Sequence, residues 1–129
     1  MTEPSPRHRV LVVEDEGVLS GYIEDVLEDA SIEVVGVATT GAEALEMAER
    51  TEPDLALVDL ALGGCVGGAE TARLLREQFD IALVLVNGKD AEAAQAWAAG
   101  STPSEILHRP FLPRHLLHAL RSVAAKLRS

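Results

Sequence analysis

The chain has 129 residues, with 11 Lys and Arg against 21 Asp and Glu, for a formal net charge of −10. That length suits one domain, able to bury roughly two thirds of its unfolded surface without a staple, and the single cysteine, Cys65, rules out an internal disulfide or a Cys/His metal cluster. The acidic balance argues against non-specific nucleic-acid binding; Met1 to Arg9 has no apolar signal-peptide region, and no apolar run approaches the roughly 18 residues of a membrane span, so a cytoplasmic protein with neither a nucleic-acid nor a membrane partner is expected.

Residues 1–8 read as a polar tail carrying Pro4 and Pro6, and residues 9–129 as one domain with no further domain after it. Val10 to Val13 is a short β-branched run, the mark of a buried strand, and it ends in Glu14-Asp15-Glu16. Val18, Leu19, Tyr22, Ile23, Val26, Leu27 and Ala30 then recur at helical spacing, with Glu24, Asp25, Glu28 and Asp29 opposite them. Glu33 to Val37 is a second strand. Thr40-Gly41-Ala42-Glu43 fits a capping box and predicts a helix through Arg50, stopped by Pro53.

Asp54 to Asp59 (DLALVD) is a third strand, apolar except at its ends. A loop with Gly63, Gly64, Gly67 and Gly68 leads to a helix over Ala69 to Gln78. Ile81 to Val86 is a wholly apolar fourth strand. Asp90 to Ala99 predicts an alanine-rich helix with Gly100 as its C-cap. Ser104 to His108 is a weak fifth strand, and Leu112, Leu116, Leu117, Leu120, Val123, Ala124 and Leu127 form the apolar face of a last helix. After Glu105 come Arg109, Arg114, Arg121, Lys126 and Arg128 with no acidic residue. They either complement the dipole of that helix and the acidic body or offer a docking surface for an acidic partner.

Five β–α units with continuously apolar strands imply an α/β fold, a five-stranded parallel sheet doubly wound with helices on both faces. In such a sheet the site lies beyond the carboxyl ends of the strands. The polar residues at those ends are Glu14 and Asp15 after strand one, Asp59 after strand three, Asn87 after strand four and Arg109-Pro110 after strand five. Three carboxylates in one pocket repel; at about 4 Å and an effective dielectric near 20 each pair costs on the order of 4 kcal/mol. A proton or a cation must relieve that repulsion. Hard carboxylate oxygens suit Mg²⁺. A carboxylate beside it can attack phosphorus to give an aspartyl phosphate, with Arg109 stabilising the phosphoryl oxygens.

In this order, the segments VLVVEDE at Val10 to Glu16, PDLALVDLAL at Pro53 to Leu62, Gly68 and HRPF at His108 to Phe111 resemble the response-regulator receiver domains of two-component phosphorelays, including the stand-alone chemotaxis type. The resemblance covers Arg9 to Leu127. It implies a flavodoxin-like (βα)5 receiver fold and a signalling role without enzymatic turnover. By resemblance, Asp59 is the phosphoacceptor, and Glu14, Asp15, Asp59 and the backbone carbonyl of Ala61 hold Mg²⁺ or Mn²⁺. Asn87, Gly88 and Arg109 contact the phosphoryl group, and the Arg109–Pro110 bond is cis. The implied partners are a phosphohistidine on a histidine kinase or a histidine phosphotransfer protein, and a downstream protein. The latter would be met by the face made of the predicted helix over 90–99, the fifth strand and the last helix.

The chain also departs from the family pattern. Asn87 stands where Thr or Ser is usual, Arg109 where Lys is, Ile106 where Tyr or Phe is, and Gly63 where a proline is. Acceptor chemistry is therefore expected to be kept and the readout of phosphorylation altered. The alternative is a receiver-like interaction module that works without phosphorylation; Mg²⁺-dependent labelling by acetyl phosphate separates the two. A haloacid-dehalogenase-like phosphohydrolase would need a second Asp where Ala61 stands, and Glu14-Asp15-Glu16-Gly17 is not the G-x-G-x-x-G of a dinucleotide site.

Overall fold

The computed structural model describes residues 8–87 and 104–127. The predicted helix over Asp90 to Ala99, its cap Gly100, the proposed phosphoryl contact Gly88, the polar tail through residue 7 and Arg128 lie outside the described residues. The elements run β1 (Arg9–Val13), α1 (Gly17–Asp29), β2 (Glu33–Ala38), α2 (Gly41–Thr51), β3 (Leu55–Asp59), α3 (Gly68–Phe79), β4 (Ala82–Asn87), β5 (Ser104–His108) and α4 (Pro113–Leu127). All strand pairs are parallel, in the order β2-β1-β3-β4-β5.

Side chains of a strand alternate between faces, and that alternation splits the core in two. Val10, Val12, Leu55, Leu57, Val84 and Val86 pack against Ile23 and Leu27 of α1 and Leu116, Leu120 and Val123 of α4. Leu11, Val13, Ala56, Val58, Leu83 and Leu85 pack against Ala44 and Ala48 of α2 and Ala72 and Leu75 of α3. With both faces covered, the middle strands have no polar position to spare, which is why they read as unbroken apolar runs.

Local signals set the helix ends. Thr40 accepts a hydrogen bond from the Glu43 N–H at 3.1 Å, while the Glu43 carboxylate accepts from the Thr39 N–H at 2.7 Å. The expected box is present, with its return bond one residue earlier than the motif implies. α2 stops at Glu52, in the left-handed conformation at φ 48°, ahead of Pro53.

Three apolar assignments need correction. Val18 is 84% exposed on the first turn of α1, and Leu112 and Leu127, given to the apolar face of the last helix, are also exposed. Each sits at a helix end. Helical spacing alone therefore does not bring a residue at a helix end onto the core.

Candidate functional site

Chain direction reverses its course through the sheet at β1: β2 lies on one side of it and β3 on the other. A crevice opens beyond the carboxyl ends of strands at such a point. β1 ends at Val13 and β3 at Asp59, so Glu14, Asp15 and Asp59 meet there. One ligand oxygen from each carboxylate lies within 4.8 Å of the others. Glu14 and Asp59 are 2% and 3% exposed, whereas Asp15 is open to solvent.

The contacts are partial. Asp59 Oδ1 accepts a hydrogen bond from the Ala61 N–H at 2.9 Å and lies 3.6 Å from Nη2 of Arg109. Glu14 Oε2 accepts from the Glu16 N–H at 3.1 Å, but Glu14 Oε1 is buried with no hydrogen-bond partner among the described residues. Asp15 Oδ2 accepts from the Gly63 N–H at 3.2 Å, which ties the loop after β3 to the end of β1. Burial pushes the Glu14 carboxyl up to about 7, and the neighbouring Asp59 adds to the shift; the Glu16 N–H and Arg109 oppose it. An orphaned carboxylate oxygen among three acids is an electrostatic deficit that a hard cation relieves. The donor set, all oxygen and one member open to water, fits Mg²⁺ or Mn²⁺, ions that keep several waters.

Gly68 shows why the start of α3 carries no side chain. A Cβ there would run into the Asp59 carbonyl and sit 2.7 Å from Leu60 Cα, so the helix enters directly against the strand end that carries the carboxylate.

The other half of the site comes from β4 and β5. Asn87 closes β4, is buried, and pairs in register with His108. Its Nδ2 lies 3.5 Å from His108 Nδ1, and its carbonyl accepts from the Arg109 N–H at 3.1 Å. The Arg109–Pro110 bond is cis, as the resemblance implied. Ile106 stands opposite Leu85, partly buried. Ala61 enters the site through its N–H. The contact of His108 with Asn87 is not legible in the sequence, where His108 stands only as part of HRPF. The signal that would have found it is strand register, which places the last residues of β4 and β5 side by side. Of the basic residues after Glu105, Lys126 lies 3.6 Å from Glu105, and Arg114 and Arg121 are exposed.

The response regulator receiver domain family matches residues 10–121. The chain is 26% identical over 118 residues to the chemotaxis protein CheY of Thermotoga maritima, covering 90% of this chain and 97% of that protein. It is 30% identical over 117 residues to the aerobic respiration control protein ArcA of Escherichia coli, covering 91% of this chain but 48% of ArcA. The chain thus spans nearly all of the first relative and about half of the second. Among solved structures, the signal receiver domain of a modulated diguanylate cyclase from Desulfovibrio desulfuricans superposes with a TM-score of 0.83 at 28% identity, over 96% of this chain and all of that one. No helix among the described residues is long and apolar enough to cross a membrane.

Proposed function

This chain belongs to the response regulator receiver domain family, and from that membership we propose that it is a signalling receiver that accepts a phosphoryl group on Asp59. The observation that carries the reading is the buried Asp59 carboxylate beside Glu14 and Asp15, with a cationic side chain 3.6 Å away.

The donor in this reading is a phosphohistidine on a histidine kinase or a histidine phosphotransfer protein. A carboxylate oxygen of Asp59 forms the new bond to phosphorus. The phosphorus–nitrogen bond to the donor imidazole breaks, and the imidazole leaves with that electron pair and takes up a proton. The Ala61 N–H holds Oδ1 of Asp59 and so limits rotation of the carboxylate. Arg109 supplies positive charge on the side of Asp59, where charge on the phosphoryl oxygens must be offset, and its planar guanidinium offers paired donors that a lysine does not. Glu14, Asp15 and Asp59, with the Ala61 carbonyl, would hold Mg²⁺ or Mn²⁺, which when bound supplies further positive charge to the phosphoryl oxygens. Asn87 can donate to a phosphoryl oxygen through its amide, and Gly88 follows it in the chain. Output then passes to a protein partner through altered contacts on the β5 and α4 side.

The test is Mg²⁺-dependent incorporation of label from acetyl phosphate into the wild-type chain. Stoichiometric incorporation supports the reading; a chain that takes up no label with or without Mg²⁺ overturns it.

A further inference from the structure

We propose that His108 is a positioning residue that holds the Asn87 amide in the orientation it presents to the phosphoryl site; this rests on the reading of Asp59 as the acceptor.

β4 and β5 pair in parallel register through Leu85 with Ile106, Val86 with Leu107, and Asn87 with His108. Residues that pair in register point to the same face of the sheet, so the last residues of the two strands stand side by side at its carboxyl edge. Asn87 is buried and His108 exposed, with Asn87 Nδ2 at 3.5 Å from His108 Nδ1. An amide nitrogen is a donor only. A hydrogen bond between these two nitrogens therefore requires the Nδ1 lone pair of a neutral imidazole, with its proton on Nε2.

The consequence lies in the geometry of an amide. A threonine hydroxyl turns about one bond and offers a donor or an acceptor in either direction. The Asn side chain carries its donor and its acceptor at opposite ends of a rigid plane, so its orientation decides which of them an incoming anion meets. Fixing the nitrogen end against His108 fixes the direction of every other bond the amide can make. The backbone strengthens the arrangement, because the Asn87 carbonyl accepts from the Arg109 N–H at 3.1 Å and ties Asn87 to the residue that follows His108. Preorganisation of this kind helps a group that must meet a transferred phosphoryl without reorienting.

The test uses the full chain labelled from acetyl phosphate, with the half-life of the phosphorylated form as readout. Two replacements of similar size separate positioning from packing: His108→Gln keeps an acceptor, in its amide oxygen, and His108→Leu does not. The expected result is a half-life shortened roughly threefold or more in His108→Leu and restored to within about twofold in His108→Gln. In an Asn87→Ala background, His108→Leu should have no further effect, as expected of residues that act through one contact. In the unphosphorylated chain, the Asn87 side-chain amide resonances should shift in His108→Leu and return toward the wild-type position in His108→Gln. Equal half-lives in wild type and His108→Leu, or effects that add in the double variant, overturn the positioning role alone. A wild-type chain that takes up no label overturns the function proposed above, and this role with it.

Discussion

At the ends of β1 and β3 the site is acidic, buried at two of its three positions, and its three carboxylates are residue types the family uses. At the ends of β4 and β5 it is made of Asn87, His108 and Arg109, with Ile106 two residues earlier, and three of these differ from the family pattern. The difference has a physical basis. In the first half the function depends on how much charge surrounds one point, and replacing any carboxylate changes that charge outright. In the second half it depends on hydrogen-bond geometry, which several side chains can satisfy. Under the proposed function, the half that holds the acceptor is thus the more constrained, and the half that reads phosphorylation out has room to vary.

The largest expected effect falls on the acidic half. Asp59→Asn should reduce Mg²⁺-dependent labelling to background, measured by acetyl phosphate incorporation, with the fold retained by circular dichroism. Undiminished labelling would break the comparison at its root.

Next comes the proton that competes with the metal. With the Glu14 carboxyl pushed up to about 7, Mg²⁺ binding should weaken about tenfold between pH 8 and pH 6, since the cation needs the ionised form. Titration followed by NMR measures this, and a pH-independent affinity would remove Glu14 from the metal site.

The same group should make the metal-free protein pH-sensitive. The folded-state value lies above that of the unfolded chain, so the folded form binds the extra proton between about pH 4.5 and 7. Stability from this group therefore falls as pH rises through that window. Glu14→Gln should raise stability at pH 8, without Mg²⁺, by up to about 3 kcal/mol and leave it little changed at pH 4.5. Urea denaturation at both values reads the difference. A Glu14→Gln variant less stable than wild type at pH 8 would show that burial of this carboxylate carries no penalty.

On the other half the effects should be smaller. Arg109→Lys keeps the charge and loses the planar fork, so labelling should change by no more than about threefold. A loss as large as that of Asp59→Asn would show that the readout half is as strict as the acceptor half. Smallest of all is the response of Ile106. It has neither ring nor hydroxyl to reorient, so its amide shift on addition of beryllofluoride, a phosphoryl mimic, should be small beside those of Asp59 and Asn87. A large shift at Ile106 would mean that coupling through β5 survives without an aromatic residue.

Much of this architecture is legible in the sequence because its signals are local. Unbroken apolar runs at Val10 to Val13 and at Leu55 to Val58 mark strands covered on both faces, and Thr40 with Glu43 marks a helix start. The acids that end strands one and three, read together with the parallel fold, already place three carboxylates on one edge. Other features are set by neighbours far apart in the chain. The strand order β2-β1-β3-β4-β5 decides that Glu14 and Asp15 meet Asp59. Burial at that edge leaves Glu14 Oε1 without a partner among the described residues, and the ends of the helices leave Val18, Leu112 and Leu127 exposed despite their spacing. The pairing of β4 with β5 puts His108 beside Asn87, across 21 positions of sequence. Periodicity reports which face a residue takes within its own element; which residue stands opposite depends on register between elements, and only the packed sheet sets that.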